Sequence, residues 1–194
     1  MKTISNLTKA LIAIALVLVL AVSWFFMTQN SFVTLKEDAD MQQSQVETAL
    51  QRRNDLIPNL VSTVKGYATH EEKVFTEIAE ARSKLSGSIE NGNIEDISEA
   101  NNNLSSALSR LLVITENYPE LKANEQFTAL QDELAGTENR ISVARQYYNE
   151  KVKAYNSKIK KFPSSIVAGM SGYSPMKYFE ADESAKKAPV VSFE

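Results

Sequence analysis

Residues Ala10 to Met27, ALIAIALVLVLAVSWFFM, carry no charge, and the uncharged run continues to Leu35. As a helix those residues extend about 27 Å, close to the ~30 Å hydrocarbon core of a bilayer. In lipid every backbone polar group must be bonded inside the segment, so a helix is the form that fits. Trp24, Phe25 and Phe26 close the run as an aromatic interface belt would. Ala21-Val22-Ser23 also has the small-residue spacing of a signal-peptide cleavage site, but cleavage there would start the mature chain on aromatic residues. An uncleaved anchor is therefore expected. Lys2 and Lys9 precede it, whereas Lys36 follows amid Glu37, Asp38 and Asp40. The positive-inside rule then puts the N-terminus in the cytoplasm and the main domain outside.

Composition narrows the rest. Six Gly and five Pro in 194 residues favour long helices over a turn-rich β-fold. With no cysteine there is no disulfide, thiolate nucleophile or cysteine-based metal site. A net charge of −3 argues against nucleic-acid binding, which needs a clustered basic surface. The single histidine, in His70-Glu71-Glu72, lacks the second histidine that a zinc helix carries four residues on, because position 74 is Val74. No phosphate loop, dinucleotide fingerprint or nucleophile elbow is present. The expectation is no catalytic residue, no cofactor and no metal.

Beyond the anchor, apolar residues recur in steps of three and four. From Phe32 the stripe runs through Leu35, Val46, Leu50, Ile57, Leu60, Val64, Tyr67, Val74 and Ile78 to Leu85, with polar Gln42, Arg53 and Glu71 in its slots. This heptad-like pattern, with one stutter, predicts a single long coiled-coil-like helix. Pro58 should kink it, and Gly66 is a second weak point. Ser86-Gly87-Ser88 and Asn91-Gly92-Asn93 read as breakers. A second helix follows from about Ile94 to Asn117, with slots at 94, 97, 101, 104, 108, 111 and 115. A third is N-capped by Asn124 and striped from Phe127 through Leu134, Ile141, Tyr148 and Tyr155 to Phe162, where Pro163 stops it. The fold class is all-α: an N-terminal transmembrane helix followed by a long, antiparallel, up-and-down helical bundle with a kinked first helix. The expected parts are a cytoplasmic N-terminus (1–9), an anchor (10–27), a bundle (28–162) and a partly docked tail (163–194). Ile166, Val167, Met170, Tyr173, Met176, Tyr178 and Phe179 are too apolar for a solvated segment, so the tail should dock through Phe179. Residues 181–189 are charged and expected to be mobile.

Several stretches resemble the LemA family of bacterial membrane proteins. They are Leu50 to Glu71 (LQRRNDLIPNLVSTVKGYATHE) followed by Ala81-Arg82-Ser83, Glu116 to Asn124 (ENYPELKAN), Glu138-Asn139-Arg140-Ile141 with Ala144-Arg145 and Tyr148-Asn149, and Phe162-Pro163-Ser164-Ser165. The resemblance implies a single-pass membrane protein with a long helical bundle and carries no enzymatic activity with it.

The resulting expectation is a membrane-anchored helical scaffold in the bacterial cytoplasmic (inner) membrane. It touches lipid through residues 10–27 and pairs with its own copies or another membrane-associated protein. A membrane-shaping homo-oligomer is the alternative, and a ligand sensor or enzyme in the bundle a third. The second helix, counted against the first, should end near Pro58, which leaves residues 32 to 50 with an uncovered apolar stripe. Leu35, Val46 and Leu50 are the interaction candidates there, since an exposed stripe of that kind is normally a contact. Arg52 and Arg53 are added because Arg52-Arg53-Asn54-Asp55 could hold an anion or lipid headgroup, or simply pair locally. The Tyr147-Tyr148-Asn149 and Tyr155-Asn156 repeat, seven residues apart, suggests polar layers that fix bundle register.

Overall fold

A computed structural model describes residues 6–180. All regular structure among them is helical: α1 (Asn6–Lys65), α2 (Glu72–Asn91), α3 (Ile94–Thr115), the single-turn α4 (Pro119–Lys122), α5 (Glu125–Lys160) and α6 (Ser164–Ser171). The chain divides into two compact units, Met1–Ala39 with Lys151–Met176, and Asp40–Glu150 with Lys177–Glu194. Lys2, used for orientation, and the charged stretch 181–189 lie outside the described residues.

In the larger unit, α1 does not run on to Leu85. It ends at Lys65, where the glycine at 66 removes a helix-favouring side chain and Tyr67 and Ala68 donate back to the Val64 carbonyl at 3.0 and 2.9 Å. The segment to Glu71 is a turn, and α2 folds back along α1. Gln43 Nε2 donates to the Gly92 carbonyl at 2.9 Å, and Asn54 Nδ2 to Ser86 Oγ at 2.8 Å. The far end of α2 thus lies beside Gln43, in the second half of α1. The Tyr118–Asn124 connection sits by the new turn rather than by Pro58: Asn124 Nδ2 donates to Tyr67 Oη at 3.0 Å and Tyr118 Oη to Glu71 at 3.5 Å. The expected bare stripe is therefore covered, with Val46 and Leu50 both 0% exposed. The register also slips by one across the break: Phe75 is buried, while Tyr67 stands exposed and Val74 half-buried.

Pro58 sits inside α1, and the helix continues through it. Proline has no N–H, so the carbonyl four residues back, Asn54, loses its helical donor. Arg82 Nε supplies one from α2 at 3.1 Å. α2 likewise runs through Ser86-Gly87-Ser88, which the sequence marked as a breaker, because Leu85 and Ser88 are buried and Ser86 is bonded to Asn54. The break comes at Gly92, whose φ of 68° is the left-handed C-cap that glycine accepts without strain. Asn93 then caps α3 through Glu95 N at 3.0 Å, and Asn124 caps α5 through Phe127 N at 2.9 Å, as expected. Every slot of the α3 stripe, Asn101 and Thr115 included, is buried.

The smaller unit contains the apolar window of α1, of mean hydropathy 2.8 and 0% buried. α1 is the one helix among the described residues long and apolar enough to cross a membrane. Past the window, Phe32 joins Tyr155 and Ile159 of α5 and Val167 and Ala168 of α6 in a buried cluster, with Phe25, Leu35, Tyr173 and Met176 packed on it. Phe162 is not its last core residue: α5 stops at Lys160, ahead of Pro163, and Phe162 is 81% exposed.

Candidate functional site

In the larger unit the arginine pair behaves as two unlike residues. Arg52 is exposed and ion-pairs with Glu133 at 2.5 Å. Arg53 points inward, one position round the helix, and its side chain is 8% exposed. Its Nη1 donates to Asn101 Oδ1 and Ser105 Oγ, both at 3.1 Å, and pairs with Glu138 at 2.9 Å. Burial lowers the Arg53 pKa from its ordinary value, and the Glu138 charge opposes that shift. The polar slots of two stripes, Arg53 and Asn101, thus bond each other inside the bundle, while the buried Arg53 Nε is left without a partner. A cavity of about 330 Å³ opens beside them, lined by Arg53, Ser105, Leu108, Leu134 and Glu138 among others. This makes Leu134 half-buried rather than a core residue.

The tyrosine–asparagine repeat does something the sequence did not suggest. In the larger unit, Tyr148 Oη donates to the Lys177 carbonyl at 2.8 Å. Asn149 grips Phe179 from both sides, Nδ2 donating to its carbonyl at 3.0 Å and Oδ1 accepting its N–H at 2.9 Å. In the smaller unit, Tyr155 Oη donates to the Ser174 carbonyl at 3.1 Å, and Asn156 grips Met176 through the same two-way amide pairing at 2.8 and 2.9 Å. Each asparagine amide takes the place of a neighbouring β-strand for one tail residue. Seven helical residues and three extended ones are each about 10 Å long, which lets the motif recur at i+7 on α5 and three residues apart on the tail. The expected polar layers are thus a ladder for the tail. Arg145 lies over the Phe179 ring at 4.7 Å and donates to the Glu180 carbonyl at 3.3 Å. Tyr148 is held neutral up to a pKa of about 12, first by burial and then by the charges of Asp40 and Glu47.

Of the interaction candidates, Val46 and Leu50 are enclosed in the larger unit and Leu35 is packed on the smaller unit's cluster. Arg52 alone stands on the surface, and His70 is exposed and away from any cluster. Among the described residues no three His, Cys, Asp or Glu side chains converge as a metal site. The open apolar surface lies elsewhere in the larger unit. Val143 (51%) and Tyr147 (53%) border a groove of about 420 Å³ completed by Gln42, Gln45, Asn139 and Arg140. Their i,i+4 spacing on α5 is readable in the sequence, but both fall off the core stripe, and Tyr147 was expected in a polar layer rather than at an open groove.

This arrangement defines an all-helical protein with an unburied apolar N-terminal helix and amide-rich surfaces. A family model described as LemA family matches residues 42–193, and the chain belongs to that family. It is similar to Magnetosome protein MamQ 2 of Paramagnetospirillum magneticum, 27% identical over 94% of this chain and 76% of that protein. Magnetosome protein MamQ of Magnetospirillum gryphiswaldense is 26% identical, with 90% of this chain and 72% of that protein covered. Protein LemA of Metamycoplasma hominis is 26% identical over 80% and 70% respectively.

Proposed function

We propose that this chain is a membrane-anchored, non-catalytic helical scaffold that binds partner proteins or further copies of itself at the membrane surface. Residues 10–27 cross the bacterial cytoplasmic membrane once, with the N-terminus inside and the bundle outside. The observation that supports this most is the continuity of α1. One helix, Asn6–Lys65, carries both the unburied apolar window and the buried positions from Phe32 to Val64. A helical core therefore begins within about two turns of the anchor. The relatives' names support the non-catalytic part: two are called magnetosome proteins and none of the three names a reaction.

With Val46 and Leu50 enclosed, the contact face assigned here is the Val143–Tyr147 groove. An exposed tyrosine with an arginine in the same groove is what protein contacts favour. A photo-cross-linking side chain placed at Val143 or Tyr147 in native membranes should give a discrete adduct with another protein or a second copy. Uncross-linked monomer at both positions contradicts the scaffold. Orientation is tested separately: protease added outside cells with opened walls should cut the bundle, and an intact bundle beside degraded external controls contradicts it.

A further inference from the structure

α6 has two unlike sides. Val167 and Ala168 are buried against Phe32, Tyr155 and Ile159, and Gln29 Nε2 donates to Ser171 Oγ. On the other side Ile166 is 54% exposed and Met170 74%, one helical turn apart, and Phe162 just before α6 is 81% exposed. Three large apolar side chains at every fourth residue make a continuous patch, not scattered surface residues.

Two further observations say what covers the patch. The first is its position. α6 packs on the α1 residues from Phe25 to Leu35, where the apolar window ends. The Lys151–Asp38 ion pair at 3.0 Å sets α5 against α1, and ten residues further on Lys161 falls about 15 Å nearer the window. The second is charge. From Lys151 to Phe179 the sequence has six lysines and no aspartate or glutamate, in a chain of net charge −3. Lys158, Lys160 and Lys161 immediately precede the apolar patch and are exposed. Apolar side chains flanked by lysines, beside the exit of a membrane span, match the chemistry of an anionic lipid interface.

We propose that α6 is a second membrane contact, lying in the headgroup region of the bilayer that α1 crosses. Phe162, Ile166 and Met170 enter the acyl boundary, and Lys158, Lys160 and Lys161 meet anionic headgroups. The proposal rests on α1 spanning the membrane and adds to it a docked helix about 140 residues away in sequence. It places a contact at residues 158–170, whereas the sequence had suggested one in the stripe between residues 32 and 50.

The absence of native cysteine allows a direct test. Single variants Ile166→Cys, Met170→Cys, Leu18→Cys and Val113→Cys, each carrying an environment-sensitive fluorophore, are reconstituted in vesicles of phosphatidylcholine with phosphatidylglycerol. All four positions are exposed, so the fold should tolerate them. Labels at 166 and 170 should be quenched by a lipid nitroxide near the headgroup and shielded several-fold from aqueous iodide relative to 113. The label at 18 reports the span itself: quenching there by deep nitroxides with none at 166 and 170 overturns the α6 proposal alone, and no quenching at 18 overturns the span. Shielding from iodide without nitroxide quenching means that protein covers the patch, which also overturns the proposal. Replacing Lys158, Lys160 and Lys161 together with glutamine should abolish the difference at 166 between phosphatidylglycerol-containing and pure phosphatidylcholine vesicles. An unchanged difference removes the lysines from the contact.

Discussion

The two units enclose unlike interiors. Asp40–Glu150 with its tail segment buries Arg53 and Asn101, with half-buried Ser105 and half-exposed Glu138 beside them. Met1–Ala39 with Lys151–Met176 buries a cluster of Phe32, Tyr155, Ile159, Val167 and Ala168. In both, a Tyr-Asn dipeptide of α5 holds the tail by its backbone. Apolar burial supplies most of the stability in either case. The polar groups decide which helix faces which, because a misregistered partner leaves a buried donor or acceptor unpaired. In the apolar unit the tail clamp and the Lys151–Asp38 ion pair do this; in the polar unit the arginine does it beside the clamp.

Truncating an apolar residue should therefore produce the largest loss in either unit. Phe32→Ala should cost about 3–5 kcal/mol, and Ile141→Ala in the larger unit about 2–5 kcal/mol, since both side chains are 0% exposed. Thermal melts in detergent read this, and a melt matching the unsubstituted protein at either position breaks that part of the comparison.

Arg53→Ala comes next, at about 2–3 kcal/mol, because it strands Asn101 in the core and leaves Glu138 without its cation. The value is at the low end for a broken pair because Glu138 is 49% exposed and keeps some water. Arg52→Ala, whose ion pair lies on the surface, should change the same melt by less than about 1 kcal/mol. Equal losses at the two arginines contradict the buried role of Arg53.

Asn156→Ala should cost about 1–3 kcal/mol and free the tail at Met176, which limited proteolysis at residues 173–177 would detect. An uncut tail means that the apolar cluster suffices to hold it.

Tyr148→Phe should cost less than Asn156→Ala, about 0.5–1.5 kcal/mol near neutral pH. Its signature is at high pH. An unfolded tyrosine loses its proton near 10.0 and the folded one near about 12, so the folded state keeps a proton that the unfolded state has lost. Stability from this group is level below about pH 10, falls as pH rises from there and levels off above about 12. Tyr148→Phe should remove that share of the alkaline loss, and melts of both proteins across that range check it.

The apolar slots were legible wherever a helix kept one phase. The α3 stripe carried through to Thr115, including polar Asn101, because no break interrupts it. The first stripe missed the helix end, with Tyr67 exposed and Val74 half-buried, because Gly66 was its only cue and Tyr67 continued the pattern; its later slots Ile78 and Leu85 are buried as expected. Pro58 drew the attention instead, yet its orphaned carbonyl is met by Arg82 from α2, a tertiary bond with no trace in the local sequence. The missed turn is also why residues 32 to 50 looked bare. Counting α3 against an unbroken helix hid the return of α2 to Gln43. The tail was expected to dock, and Phe179 is 2% exposed. Its clamps were not legible, since an extended segment bound through its backbone carries no side-chain period.

The central claim is that the membrane-proximal part of α1 is core rather than bare stalk. Single cysteines at Val46, 0% exposed, and at Met41, 54% exposed on the same helix, test it against a membrane-impermeant maleimide in detergent, on the fraction that runs as a monomer. The account predicts that Met41→Cys reacts at the rate of a free thiol. Val46→Cys should react only on unfolding, slower by orders of magnitude in proportion to the opening equilibrium. Comparable rates at the two positions would leave the segment uncovered and contradict the account.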